Sequence, residues 1–154
     1  MAAAEDEYER DDLLAEVGAE YIRADMDDEY LQVQRERVGN HPDAAVMWLS
    51  LAHALSGRPD GAAEALDAAA RAVDISRSVG ALLRYSLCCQ ARVARATGNR
   101  EVFERALSDL LADAENYRKE DSGFFGDFVK DLPEGFCSRE LVAAYKRLLP
   151  ENDI

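Results

Sequence analysis

The sequence predicts an all-α fold, and three observations carry that prediction. Apolar residues recur at i, i+3, i+4 and i+7 through most of the 154 residues. No run of alternating β-branched residues argues for a strand. Pro and Gly fall in short clusters between the periodic segments, at Pro42, at Gly57 and Pro59, and at Gly98, where a helix must stop. A chain of this length makes about one domain and can bury about 70% of the surface its unfolded form exposes, so a true core is available.

The elements follow in order. Residues 1–8 are acidic and are expected to be flexible, and a first helical pattern runs from Glu9 to Arg23 with Leu13, Leu14, Val17, Tyr21 and Ile22. A second runs from Asp27 to Val38 and ends at Asn40, His41, Pro42 and Asp43. A third, Ala44 to Leu55, carries Met47, Trp48, Leu51 and Leu55 and stops at the turn of Gly57, Arg58 and Pro59. Asp60 is placed to cap a fourth helix through Ala62, Leu66, Ala69 and Val73 to Ile75. Ser76 is placed to cap a fifth, which carries Val79, Leu82, Leu83, Tyr85, Leu87, Cys88, Val93 and Ala94 to the turn at Gly98 and Asn99. That fifth helix is apolar on more than one side, which predicts a central position among the helices. A sixth covers Arg100 to Tyr117, with Phe103, Leu107, Leu110 and Leu111 on one face. An aromatic, loop-rich segment follows over 121–136, with one or two helical turns at most, before Ser138 caps a last helix ending near Leu149.

Charge narrows the function classes. Eighteen Lys and Arg face 31 Asp and Glu, a formal charge of −13, whereas a nucleic-acid interface or a polybasic membrane contact needs clustered cations. With 48% hydrophobic residues the chain reads as globular and not disordered. Three cysteines, Cys88, Cys89 and Cys137, are an odd number and suit a reducing compartment better than a disulfide framework. The start, MAAAEDEYERDD, has neither a basic region nor an apolar stretch, and no run of about 18 apolar residues occurs, so a cytoplasmic protein is expected.

The spacing also repeats. Leu14, Val17, Gly18 and Tyr21 are followed 34 residues later by Trp48, Leu51, Ala52 and Leu55, and the first block closes at Pro42. Ala62, Leu66 and Ala69 continue the second block. Leu87, Ala91, Ala94, Gly98, Phe103 and Leu107 make a looser third, set 39 residues after Trp48. This pattern resembles the tetratricopeptide repeat, with its period of 34 and its W-x2-L-G-x2-Y signature. The resemblance covers residues 9–117 and implies a right-handed α-solenoid of about three antiparallel hairpins, with residues 118–154 as an aromatic loop and a C-terminal capping helix. A helical bundle without repeats is the other arrangement that the same pattern allows.

Such a stack implies a non-catalytic adaptor or scaffold that takes a partner peptide or helix in its concave groove. The inward positions would be Ala15, Glu16 and Ala19, then Leu49, Ser50 and His53, then Tyr85, Cys88, Cys89, Arg92 and Arg95. Glu16, Leu49, Ser50, His53, Tyr85, Cys88, Arg92 and Arg95 are the partner-binding candidates. Ala15 and Ala19 stand where family members that bind acidic chaperone tails carry Lys and Asn, so that ligand is not expected. The helical-repeat chaperones of bacterial secretion systems are a second class that small size and acidity suit.

Arg84, Arg92 and Arg95 lie along one side of the fifth helix and could clamp an acidic partner segment, or could pair with the chain's own carboxylates. No metal site or cofactor is expected: His41 and His53 lack ligands at metal spacing, and the acidic series Asp25, Asp27, Glu29 and Glu36 has Tyr30 where a calcium loop turns on Gly. No catalytic motif occurs, and a cysteine enzyme would need Cys88 or Cys89 beside His53. Phe124, Phe125, Phe128 and Phe136 are expected to seal the end of the stack, the alternative being an exposed aromatic patch.

Overall fold

The computed structural model describes residues 26–113 and 126–149. All regular structure among them is helical, and neighbouring helices pack on one another. We label the α-helices α1 (Asp27–Asn40), α2 (Ala45–Ser56), α3 (Ala62–Val79), α4 (Leu83–Ala96), α5 (Arg100–Ala112) and α6 (Arg139–Lys146), with one 3-10 turn at Asp127–Val129. The expected first helix, the sixth helix beyond residue 113, and Phe124 and Phe125 lie outside the described residues. The chain forms two compact units that divide between Ile75 and Ser76, inside α3, where neither Pro nor Gly marks the sequence.

In unit 1, α1 opens on Asp27, Asp28 and Glu29 and closes near Arg37, each sign at the helix end that favours it. Leu31, Gln34 and Val38 make its buried stripe, and this packs against α2. On α2 the buried residues Ala45, Leu49 and Ala52 recur at i, i+4 and i+7, with Leu51 and Leu55 beside them. The α2–α3 turn depends on Gly61, since a Cβ there would overlap the backbone carbonyl of Leu55. The buried side of α3 within this unit is almost all small: Ala65, Ala68, Ala69, Ala72 and Val73. Two ion pairs, Arg35 with Glu64 and Arg58 with Asp28, tie the surface of this unit together.

The expected helix boundary at Ser76 is not there. Ser76 is fully buried, and its hydroxyl is 2.7 Å from the Ser86 hydroxyl in a buried pair, so it does not cap a helix. The helix instead stops at Gly80, whose φ of +69° and whose neighbour's bond from Ala81 N to Ser76 O form a Schellman ending. Leu82, at φ +63°, then leads into α4, which starts seven residues later than the expected cap at Ser76. Gly98 repeats the ending after α4, with Asn99 N bonded to Ala94 O.

In unit 2, α4 packs on α5 and on the 3-10 turn, and α5 packs on α6. Asn99 caps α5 by accepting from Val102 N at 3.0 Å, and Ser138 caps α6, both at the positions that the sequence marks as turn and cap. The last helix ends at Lys146, and 3-10 type bonds carry the chain on to Leu149. Phe128 is buried and, with Phe136, meets Phe103 edge-on at centroid separations of 6.3 and 5.2 Å, while Tyr145 closes the cluster 5.5 Å from Phe128. These two phenylalanines therefore pack within unit 2.

Candidate functional site

The residues singled out on α2 separate by face. Val46, Ser50 and His53 recur at i, i+4 and i+7 along its outward side. Val46 and His53 are exposed and Ser50 is half-buried, with its hydroxyl bonded to Val46 O. Leu49 belongs to the core stripe and is only 6% exposed, so it offers no surface to a partner. Glu16 lies outside the described residues.

The candidates on α4 also divide. Tyr85 is exposed, with Cys89 and Arg92 one and two turns further on the same stripe. Cys88 is fully buried, its sulfur 3.9 Å from the Tyr145 hydroxyl. Arg92 grips Asp127 through Nε at 3.1 Å and Nη2 at 2.6 Å, with its guanidinium 5.4 Å from the Phe128 ring centroid. Arg95 donates to three backbone carbonyls, Phe128 O at 3.0 Å, Lys130 O at 2.7 Å and Asp131 O at 3.0 Å. Both arginines thus hold the segment 127–131 against α4, and an acidic clamp would have to draw on donors already engaged.

None of the three thiols is poised for chemistry. Burial pushes Cys88 up to about 12, outweighing the Tyr145 hydroxyl and the nearby Arg92 and Arg84 charges. Cys89 is also raised, by burial first, against the opposing pull of Arg92. Cys137 is pushed up to about 11 by burial and by Glu104, whose carboxylate also accepts from Ser138 N at 3.1 Å. A thiol held protonated at neutral pH is a poor nucleophile. Among the described residues no group of three or more His, Cys, Asp and Glu side chains is placed to hold a metal ion. No described helix is long and apolar enough to cross a membrane.

Among the described residues an open groove of about 330 Å³ lies beside Arg92, Arg95, Ala96, Asp127 and Phe128, where both arginines already hold the 127–131 segment, and two others have more apolar walls. The larger, about 650 Å³, lies in unit 2 between the loop 129–137 and α6, with Leu132, Pro133, Cys137 and Val142 in its walls. On its rim Arg139 pairs with Glu134 at 3.3 Å. The smaller, about 340 Å³, lies in unit 1 between α2 and α3, where Trp48, Leu51 and Ala68 meet Glu64, Asp67 and Arg71. The indole N–H of Trp48 donates to Pro42 O at 2.7 Å, which orients the ring, and the Arg71 guanidinium stands 5.9 Å from its centroid.

Sequence reasoning placed the α2 site on Leu49, Ser50 and His53 and passed over this groove. A signal was present: Glu64, Asp67, Arg71 and Asp74 are spaced by three, four and three, which puts four exposed charges on one stripe of α3. The side of α2 that this stripe would face could not be read the same way. No protein-family model, curated protein or solved structure matches the chain.

Proposed function

We propose that the protein is a non-catalytic interaction module, an adaptor of tetratricopeptide-like helical hairpins that holds a partner segment in an open groove between packed helices. The observation that carries this reading is the α2/α3 groove of unit 1. It is open to solvent, has an aromatic and aliphatic floor in Trp48, Leu51 and Ala68, and is rimmed by charged side chains. At about 340 Å³ it is at the small end of ligand pockets, and an open groove of that size suits a few side chains of a peptide better than an enclosed substrate. The protonated thiols weigh against the cysteine-enzyme alternative. Small size and a charge of −13 also suit a secretion-system chaperone, which is another form of the same partner-holding role.

The test is selection of an unbiased peptide display library on the folded protein, with heat-denatured protein as the control. Enriched sequences that bind one to one in calorimetry support the module. A selection that enriches nothing beyond the denatured control refutes it.

A further inference from the structure

We propose that the α2/α3 groove of unit 1 receives a basic segment of a partner protein, seating an arginine or lysine side chain on Trp48 with Glu64 and Asp67 as counter-charges. The inference rests on the interaction-module reading and adds the partner's chemistry and its point of attachment.

The groove already handles cations of its own chain. Arg71 occupies the space over the indole, 5.9 Å from the ring centroid, which is within cation–π range. Glu64 takes the Arg35 guanidinium through two parallel bonds of 2.6 and 2.9 Å, the fork geometry that favours arginine. Both kinds of cation contact, a π face and a bidentate carboxylate, are therefore in use at this groove, so a partner's cation has to displace Arg71 from the indole and share Glu64 with Arg35, with Asp67 beside them as the second carboxylate. The indole N–H is committed to Pro42 O, so the ring is held in place and what it offers a ligand is its electron-rich face.

Charge complementarity selects the same partner. Between residues 26 and 75 nine carboxylates stand against four arginines, a net −5 with histidine neutral. Asp74 continues the exposed stripe of Glu64, Asp67 and Arg71 along α3, so a basic helix or strand laid along it meets carboxylates on either side of Arg71. An acidic segment would meet repulsion here. Of the three arginines that could have welcomed one, Arg92 and Arg95 already hold residues 127–131 in unit 2. Arg71 acts in this picture as an internal stand-in that the partner's cation displaces, and its removal should strengthen binding.

The experiment uses the full chain and a synthetic 16-residue amphipathic peptide with Arg and Lys on one face and Leu on the other. Its counterpart with Glu on the polar face is the control. Trp48 is the single tryptophan of the chain, so its emission reports on this groove alone. The basic peptide is expected to change Trp48 emission saturably at one to one, with weaker binding at higher salt, and the Glu peptide to do nothing. The double variant E64Q/D67N, checked by melting to be folded, should lose about tenfold in affinity. Arg71→Ala should gain severalfold, whereas Arg139→Ala in unit 2, which changes the net charge equally, should not.

Binding without a Trp48 signal, equal effects of Arg71→Ala and Arg139→Ala, or no binding of the basic peptide would each overturn the inference. In those cases library-selected peptides that still bind leave the interaction module standing. Should neither the basic peptide nor any selected peptide bind, the failure lies with the module reading itself.

Discussion

Arg95→Met should cost about 2.5–3 kcal/mol of folding stability while leaving peptide binding in unit 1 unchanged. The substitution keeps a long apolar stem and removes three hydrogen bonds, to Phe128 O, Lys130 O and Asp131 O. Hydrogen bonds from a charged donor contribute roughly 1.5–3 kcal/mol each when their partners cannot reach water. Only the bond to Phe128 O is part-buried here, and the exposed Lys130 and Asp131 carbonyls can rehydrate. We therefore count the first at about 1.5–2 kcal/mol and the other two together at about 1. Urea denaturation followed by far-UV circular dichroism measures the loss as a shift in midpoint at constant slope. Because the acceptors are carbonyls and not carboxylates, the loss should be nearly the same in 0.05 and 0.5 M salt, unlike that of an ion-pair variant such as Arg77→Met. A loss below about 0.5 kcal/mol would refute the argument by showing that water replaces Arg95 at all three carbonyls.

Three further outcomes follow from the geometry. Gly61→Ala should destabilise by about 1–3 kcal/mol in the same urea assay, because the new methyl group meets the rigid Leu55 carbonyl and not a flexible side chain. Leu82→Asn should stabilise by about 0.5–1 kcal/mol, since Leu82 is half exposed and sits at φ +63°, where Asn is better tolerated than Leu; an unchanged midpoint would count against strain at that residue. Stability should be flat in Cys88 protonation below about pH 9 and fall between about 9 and 12, where the unfolded chain has released a proton that folded Cys88 still holds. For one thiol the slope approaches about 1.4 kcal/mol per pH unit, and Cys88→Ala should flatten that part of the profile relative to the parent. Equal slopes in the two proteins would contradict it.

Helix content and most helix ends were legible in the residues. Asn99 and Ser138 became caps because a side-chain oxygen next to free N–H groups needs no distant partner. Gly98 ended α4 for an equally local reason, its access to positive φ. Ser76 failed as a cap because its alternative partner, Ser86, comes from the next helix, and burial of both hydroxyls outweighed the local signal.

The candidate site was only half legible for a related reason. The spacing of Arg92 and Arg95 on α4 could be counted, but their acceptors lie at 127–131, more than thirty residues away, and no local rule pairs them. Leu49 was assigned to a surface by register alone, whereas packing against α1 turned its stripe inward. Periodicity, stops and net charge are properties of neighbouring residues, so the chain alone determines its helices, its acidity and the faces each helix has to offer. Which face meets which is settled by packing. Only the folded structure put Trp48 beside Arg71, Glu64 and Asp67, because these residues stand sixteen or more positions from it on another helix and meet it through tertiary packing and not as neighbours in the chain.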